Sequence, residues 1–205
     1  MANEINKPTQ PALPLPEEQY NRRFSDQLHN VLRLFFGQIT TAIGAVLSSD
    51  QGGKFIYQPH GSFYSSTTLN LTPNTDTAVS FAQDRFASAG ITAENSNQRI
   101  TVSADGVYKI TVEGLTTVGS GTGSFYVWLQ KNGTDIDYST RYYQMDAING
   151  QQYVTFNLQV MESMVAGDYI TVIVNGTGNS PKVAAFTTKS GIVGAQIEVS
   201  FVSNA

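Results

Sequence analysis

Two hydrophobic periods divide this chain. Between residues 17 and 48 apolar side chains recur every three or four positions, the spacing of an amphipathic helix. Leu28, Leu32, Phe35, Ile39, Ala42 and Val46 alternate four and three apart, which is the seam of a coiled coil. Phe24, Val31, Leu34, Phe36, Ile43 and Leu47 add apolar flanks beside that seam. One buried face does not account for all of them, so the segment is expected to need partners. Gly37 and Gly44 lie seven apart, away from the seam. They read either as tolerated residues on a solvated face or as a flat strip that another backbone approaches. Pro16, Glu17 and Glu18 suit a helix start, and the run from Ser48 to Gly53 ends it.

From Lys54 onward the period is two, the signature of half-buried strands. Residues 106–114 alternate Val107, Lys109, Thr111 and Glu113 against Tyr108, Ile110 and Val112. Residues 124–130 put Phe125, Val127 and Leu129 on one face and Tyr126 and Trp128 on the other, so both faces are apolar and one is a candidate partner surface. Further strands are expected at 99–103, 153–161, 169–174 and 192–202, the last alternating Ile197, Val199 and Phe201. Weaker ones are expected at 55–57, 69–71, 78–81 and 91–93. Asn132-Gly133 suits a tight hairpin. Eight to ten short strands without a second helical pattern predict a mainly β protein, a two-sheet sandwich or jelly roll.

Ahead of the helix, Pro8, Pro11, Pro14 and Pro16 predict an extended arm over residues 1–16. The organisation is therefore an arm at 1–16, a helix at 17–50 and a β head at 51–205.

Composition narrows the function. Only 14% of the 205 residues are charged, and the net charge of −4 includes no basic run, so nucleic acid is not an expected partner. The chain has no cysteine, which removes disulfides, thiolate metal sites and cysteine nucleophiles. The N-terminus lacks the pattern of a secretory signal. Arg33, Gln38 and the Thr40-Thr41 pair interrupt the apolar helix, and membrane insertion is not expected.

The β blocks resemble the C1q/TNF-like jelly roll over roughly residues 75–205. Gly106 and Tyr108, then Lys131-Asn132-Gly133, then Gly167-Asp168, then Ile197, Val199 and Phe201 follow in that family's order. The resemblance implies a compact homotrimer with aromatic residues near its axis. The collagen repeats of C1q itself are absent. The segment PLPEEQYNRRFSDQLHNVLRLFFGQI resembles the start of tailed-phage virion proteins in which an arm and a short helix precede such a head. That resemblance implies a fibre or decoration protein, located on the virion, whose N-terminus grips the particle.

On this reading Pro11, Pro14, Pro16, Phe24, Leu34 and Phe36 anchor the chain to a major capsid, portal or tail protein. Leu28, Leu32, Phe35, Ile39 and Val46 form the trimer seam, in a three-helix bundle or against a neighbouring protein. The alternative is a tail-fibre protein that recognises a host surface glycan. Tyr138, Arg141, Tyr142 and Tyr143, close in sequence to Asp135, Asp137 and Tyr153, are the candidate glycan contacts. No catalytic residue, cofactor or metal is expected. His29 and His60 are not spaced as a zinc pair, and no phosphate loop or nucleophile elbow occurs. Asp135 with Asp137 as calcium ligands, and Asp105 with Glu113 as a glycosidase dyad, are both outweighed by ordinary solvated roles. The three Asn-x-Thr triplets beginning at Asn70, Asn132 and Asn175 read as chance.

Overall fold

The computed structural model describes residues 11–13, 22–47, 58–94, 96–147, 152–185 and 194–203. The chain divides into two compact units, Met1–Tyr57 and Gln58–Ala205.

The first unit contains one helix, α1 (Arg22–Leu47). Its 26 residues span about 39 Å at 1.5 Å per residue. None of them is buried. The seam side chains Leu28, Leu32, Phe35 and Ile39 are half-exposed, while Leu34 and Phe36 on the flanks are 58% and 60% exposed. The helix positions expected at 17–21 and 48–50, Pro14 and Pro16 among the anchor residues, and the strand expected at 55–57 lie outside the described residues.

The second unit is mainly β. Its described strands are β1 (His60–Ser65), β2 (Leu69–Asn70), β3 (Thr77–Ala78), β4 (Gln83–Ala89), β5 (Ile91–Glu94), β6 (Arg99–Val102) and β7 (Gly106–Val118). They continue with β8 (Gly121–Lys131), β9 (Thr134–Asp135), β10 (Arg141–Ala147), β11 (Gln152–Met164), β12 (Tyr169–Gly176), β13 (Lys182–Val183) and β14 (Ala195–Ser203). Every described pairing is antiparallel. One sheet runs β2-β13-β7-β14-β1-β4, with β11 on the other side of β7. The second runs β10-β8-β12-β6-β5, with β3 beside β12 and β9 beside β8.

The core lies between the two sheets, and the period-two reading of the long strands is what fills it. Tyr108, Ile110 and Val112 of β7, Phe125, Val127 and Leu129 of β8, and Ile197, Val199 and Phe201 of β14 are all buried. Phe125 stacks on Phe156 across the sandwich, ring centroids 5.8 Å apart. Tyr108 meets Phe201 edge-on at 5.7 Å and donates its hydroxyl to the Ala104 carbonyl at 2.7 Å. Burial, helped by the Asp105 carboxylate, pushes the Tyr108 hydroxyl up to about 12.

Two glycines of β7 lie under rings. A Cβ at Gly106 would come 2.3 Å from the Phe201 ring, and one at Gly114 the same distance from Phe156. Asn132 and Gly133 both adopt left-handed backbone, φ 52° and 82°, so the dipeptide makes the tight β8–β9 hairpin its sequence predicts.

Five strands, β1, β4, β9, β10 and β13, are not among those expected, although the Asn132-Gly133 turn leads into β9. β1 reads HGSFYS, and with Gly61, Ser62 and Phe63 buried in succession it carries no period-two alternation. The strand expected at 78–81 is only a two-residue pairing at β3. Val79 and Phe81 nevertheless reach the core, with backbone N–H groups held by Val172 and Asn97 carbonyls.

β10 and β11 belong to different sheets, and one side chain links them. Tyr143 donates its hydroxyl to the Asn157 carbonyl and accepts the Asn157 N–H, each at 3.2 Å.

Candidate functional site

Strand register decides where the aromatic residues gather. β8 and β10 pair Tyr126 with Tyr142, and β8 and β12 pair Tyr126 with Asn175 and Trp128 with Ile173. Directly paired residues of antiparallel strands share a face. These five therefore stand on the outer side of the second sheet, opposite Phe125, Val127 and Leu129. Tyr126 and Tyr142 are in contact, ring centroids 5.1 Å apart and tilted by 50°.

A groove of about 430 Å³ opens on this face. Tyr126, Trp128 and Asp135 line it together with Asn74, Thr140, Asn175 and Thr177. Its polar groups are held in place by hydrogen bonds, some between lining residues and some from outside the groove. Asp135 Oδ1 accepts the Trp128 indole N–H and the Gln130 amide, both at 2.9 Å. Asp76 Oδ1 accepts the Asn175 amide at 2.7 Å. Thr177 Oγ1 accepts the Ser124 N–H at 2.8 Å, and Ser124 Oγ lies 3.1 Å from the Tyr142 hydroxyl. The second oxygen of Asp135 has no hydrogen-bond partner among the described residues. No lysine or arginine lines the groove.

The four candidate glycan contacts do not form one cluster. Tyr142 stands on the groove face. Tyr143, one residue on, turns to the other side and packs against the core. Arg141 pairs with Val127, on the same side as Tyr143, and its guanidinium donates to the carbonyls of Tyr138 and Thr140 at 3.2 and 3.1 Å. Tyr138 sits in the β9–β10 turn with φ 59° and is 96% exposed. Tyr153 pairs with Thr117 in the first sheet. The second apolar face of SFYVWLQ is visible in the sequence, but nothing local joins Tyr126 and Trp128 to Tyr142. The link is the β8–β10 register, and β10 itself was not anticipated.

Both carboxylates of the Asp105–Glu113 pair have structural partners. Asp105 Oδ1 accepts the Ala166 N–H and Glu113 Oε1 accepts the Asn157 amide. Eight residues of extended chain separate the two acids by about 26 Å, against the roughly 5–10 Å of a glycosidase pair. Among the described residues no group of three His, Asp or Glu side chains is placed to hold a metal ion. His60 Nδ1 lies 2.9 Å from the Gln58 carbonyl, and His29 is exposed on α1.

α1 is the other candidate surface. By length and composition it is apolar enough to cross a membrane, in contrast to the expectation drawn from its polar residues. Two of those residues are neutralised inside the helix. Thr40 and Thr41 donate their hydroxyls to the carbonyls of Phe36 and Gly37, four residues back, at 2.9 and 3.0 Å. Arg33 and Gln38 remain exposed.

No protein-family model matches the chain, and no curated protein matches its sequence.

Proposed function

We propose that the chain is a non-enzymatic structural protein of a phage virion, a head fibre or decoration protein that assembles as a trimer. One observation carries this reading. The β unit has a complete core of its own, whereas none of the 26 residues of the apolar helix is buried. An apolar helix with no buried residue is suited to assembly or attachment.

Magnitudes leave room for a helix that works with a second surface. Full burial of Leu28, Leu32, Phe35, Ile39 and Val46, at about 1.5–3 kcal/mol each, contributes roughly 7–15 kcal/mol per helix. Association costs about 4–15 kcal/mol. Three seams thus set roughly 22–45 kcal/mol against about 8–30 kcal/mol for the two association steps of a trimer, and the ranges overlap. Contacts between heads, or the exposed flanks at Leu34 and Phe36 docking on a capsid, portal or tail protein, strengthen the association. Phe24, half-exposed, and Pro11, in the short described part of the arm, extend that docking region. Three arms tethered to one trimer bind with avidity.

The strand order supports a jelly-roll head. β1, β14, β7 and β11 lie side by side in one sheet, and β6, β12, β8 and β10 lie in the other. Taken in chain order these eight strands change sheet at every step except β8 to β10, and the first and last described strands, β1 and β14, pair with each other. Such interleaving of antiparallel strands is characteristic of that architecture.

Sedimentation in detergent-free buffer tests the proposal. Wild type is expected to run as a trimer at micromolar concentration and Leu32→Asp as a smaller species. A monomeric wild type overturns the trimer, and a chain soluble only with detergent or vesicles places α1 in a bilayer instead. A chain ending at Ser49 should still attach to phage particles. Failure to attach removes the anchoring role.

A further inference from the structure

We propose that the groove built on Tyr126 and Trp128 binds a neutral carbohydrate. This goes beyond the structural role and holds whether or not the chain sits on a virion.

Four observations point to this ligand. The groove joins aromatic surface to a polar fringe. Trp128 and Tyr126 line it beside the Asp135 carboxylate and the Asn74 and Asn175 amides. A pyranose ring has the complementary form, with apolar C–H faces and hydroxyls around its edge, and amphipathic rings suit contacts that are apolar on one side and wet on the other. Second, the polar groups are fixed before any ligand arrives. Asp135 holds the indole of Trp128 and Asp76 holds the amide of Asn175, which reduces the ordering cost of binding.

Third, the charge selects against anions. A carboxylate lines the groove and no cation does, so phosphates, nucleic acids and acidic sugars are disfavoured, while Asp135 Oδ2, which has no hydrogen-bond partner among the described residues, can accept from a hydroxyl. Fourth, the size is right for a small ligand and poor for a subunit. The volume of about 430 Å³ falls in the range of ligand pockets, roughly 300–1,000 Å³. The centre of a stable protein interface is depleted in charge, yet this groove holds a carboxylate.

The chain supplies its own reporter, because Trp128 is its one tryptophan. The full-length protein is titrated with glucose, galactose, mannose, N-acetylglucosamine and their β-linked disaccharides while Trp128 emission is followed. N-acetylneuraminic acid and inorganic phosphate serve as anionic probes. At least one neutral sugar is expected to give a saturable change in the millimolar range, and the anions none. Tyr126→Ala should weaken that binding about tenfold. Thr140→Phe, at an exposed lining position, should fill the groove and abolish binding with the fold intact by circular dichroism. Met161→Ala, exposed on the other sheet, should leave it unchanged. The proposal is overturned if no neutral sugar gives a saturable change, or if Thr140→Phe and Tyr126→Ala bind as wild type does. A smaller sedimenting species for Thr140→Phe would overturn it too, since the face would then be a contact between subunits.

Discussion

The Asn132 side chain donates to Asp168 at 2.7 Å and joins two turns that lie 36 residues apart in the chain. Asn132 Oδ1 accepts the Tyr169 N–H at 3.1 Å, and Asp168 Oδ2 accepts the Val165 N–H at 2.9 Å. Lys131 Nζ stands 3.9 Å from the same carboxylate. The Asn-Gly and Gly-Asp turns, which sequence reading treats as separate signals, are one locked structure.

That lock makes stability depend on acid. Burial works against the Asp168 charge, but the Val165 N–H, the Asn132 amide and the Lys131 ammonium outweigh it and hold the carboxyl below its ordinary value of 3.8. The folded value lies below the unfolded one. The stabilisation is therefore full above the ordinary value and is lost as pH falls through the folded one. Asp168→Asn should cost about 1–3 kcal/mol at neutral pH. Urea unfolding across the acid range should show the two proteins converging as wild type loses the contribution.

Tyr108 produces the opposite dependence at high pH. Its hydroxyl is raised from 10.0 to about 12 by burial and by Asp105, so the unfolded chain ionises first. The contribution is complete below the unfolded value and is lost as pH rises toward the folded one. Tyr108→Phe should cost about 1 kcal/mol at neutral pH through loss of the bond to Ala104. Thermal melts in alkaline buffers should show a shallower decline for this variant than for wild type.

Gly114→Ala should destabilise the β unit by about 1–3 kcal/mol. Its new methyl would meet the Phe156 ring at 2.3 Å and the Gly194 carbonyl at 2.9 Å, and neither yields without disturbing the Phe125–Phe156 stack. Phe156→Leu in the same chain should recover part of the loss. Denaturant midpoints of the single and double variants provide the check.

Gly37→Ala and Gly44→Ala should act in the other direction. A Cβ at either position meets nothing within 4 Å, and both residues lie away from the Leu28–Val46 seam. Each substitution should stabilise the helix by about 1 kcal/mol. The sedimentation coefficient should not change. A loss of oligomer in either variant would mean that another backbone packs on that strip.

What was legible in the sequence follows the strength of the alternation. Tyr108, Ile110 and Val112, and likewise Phe125, Val127 and Leu129, alternate with polar or amphipathic residues without interruption, and all are buried. β10 has no clear period-two pattern because RYYQMDA places two tyrosines in succession, on opposite faces. The groove depends on that strand's register with β8, and register is set by long-range pairing that no local window contains. The parity of Tyr142 and Tyr143 follows once β10 is known to be a strand. For α1 the 3.6-residue period marks the helix itself, which runs Arg22–Leu47, while the partners that its excess hydrophobes call for are a matter of assembly that one chain does not display.

The Tyr143–Asn157 contact bears on solubility. Among the described residues β11 pairs only with β7, so its 13 residues form the rim of a sheet. Unpaired backbone along such a rim is a template for a strand from another molecule. Tyr143 occupies both the N–H and the carbonyl of Asn157, near the middle of that rim, and interrupts the template where it would otherwise be continuous. A second molecule that approaches this rim thus meets a hydrogen-bonding site already filled, which works against fusion of the two into a common sheet.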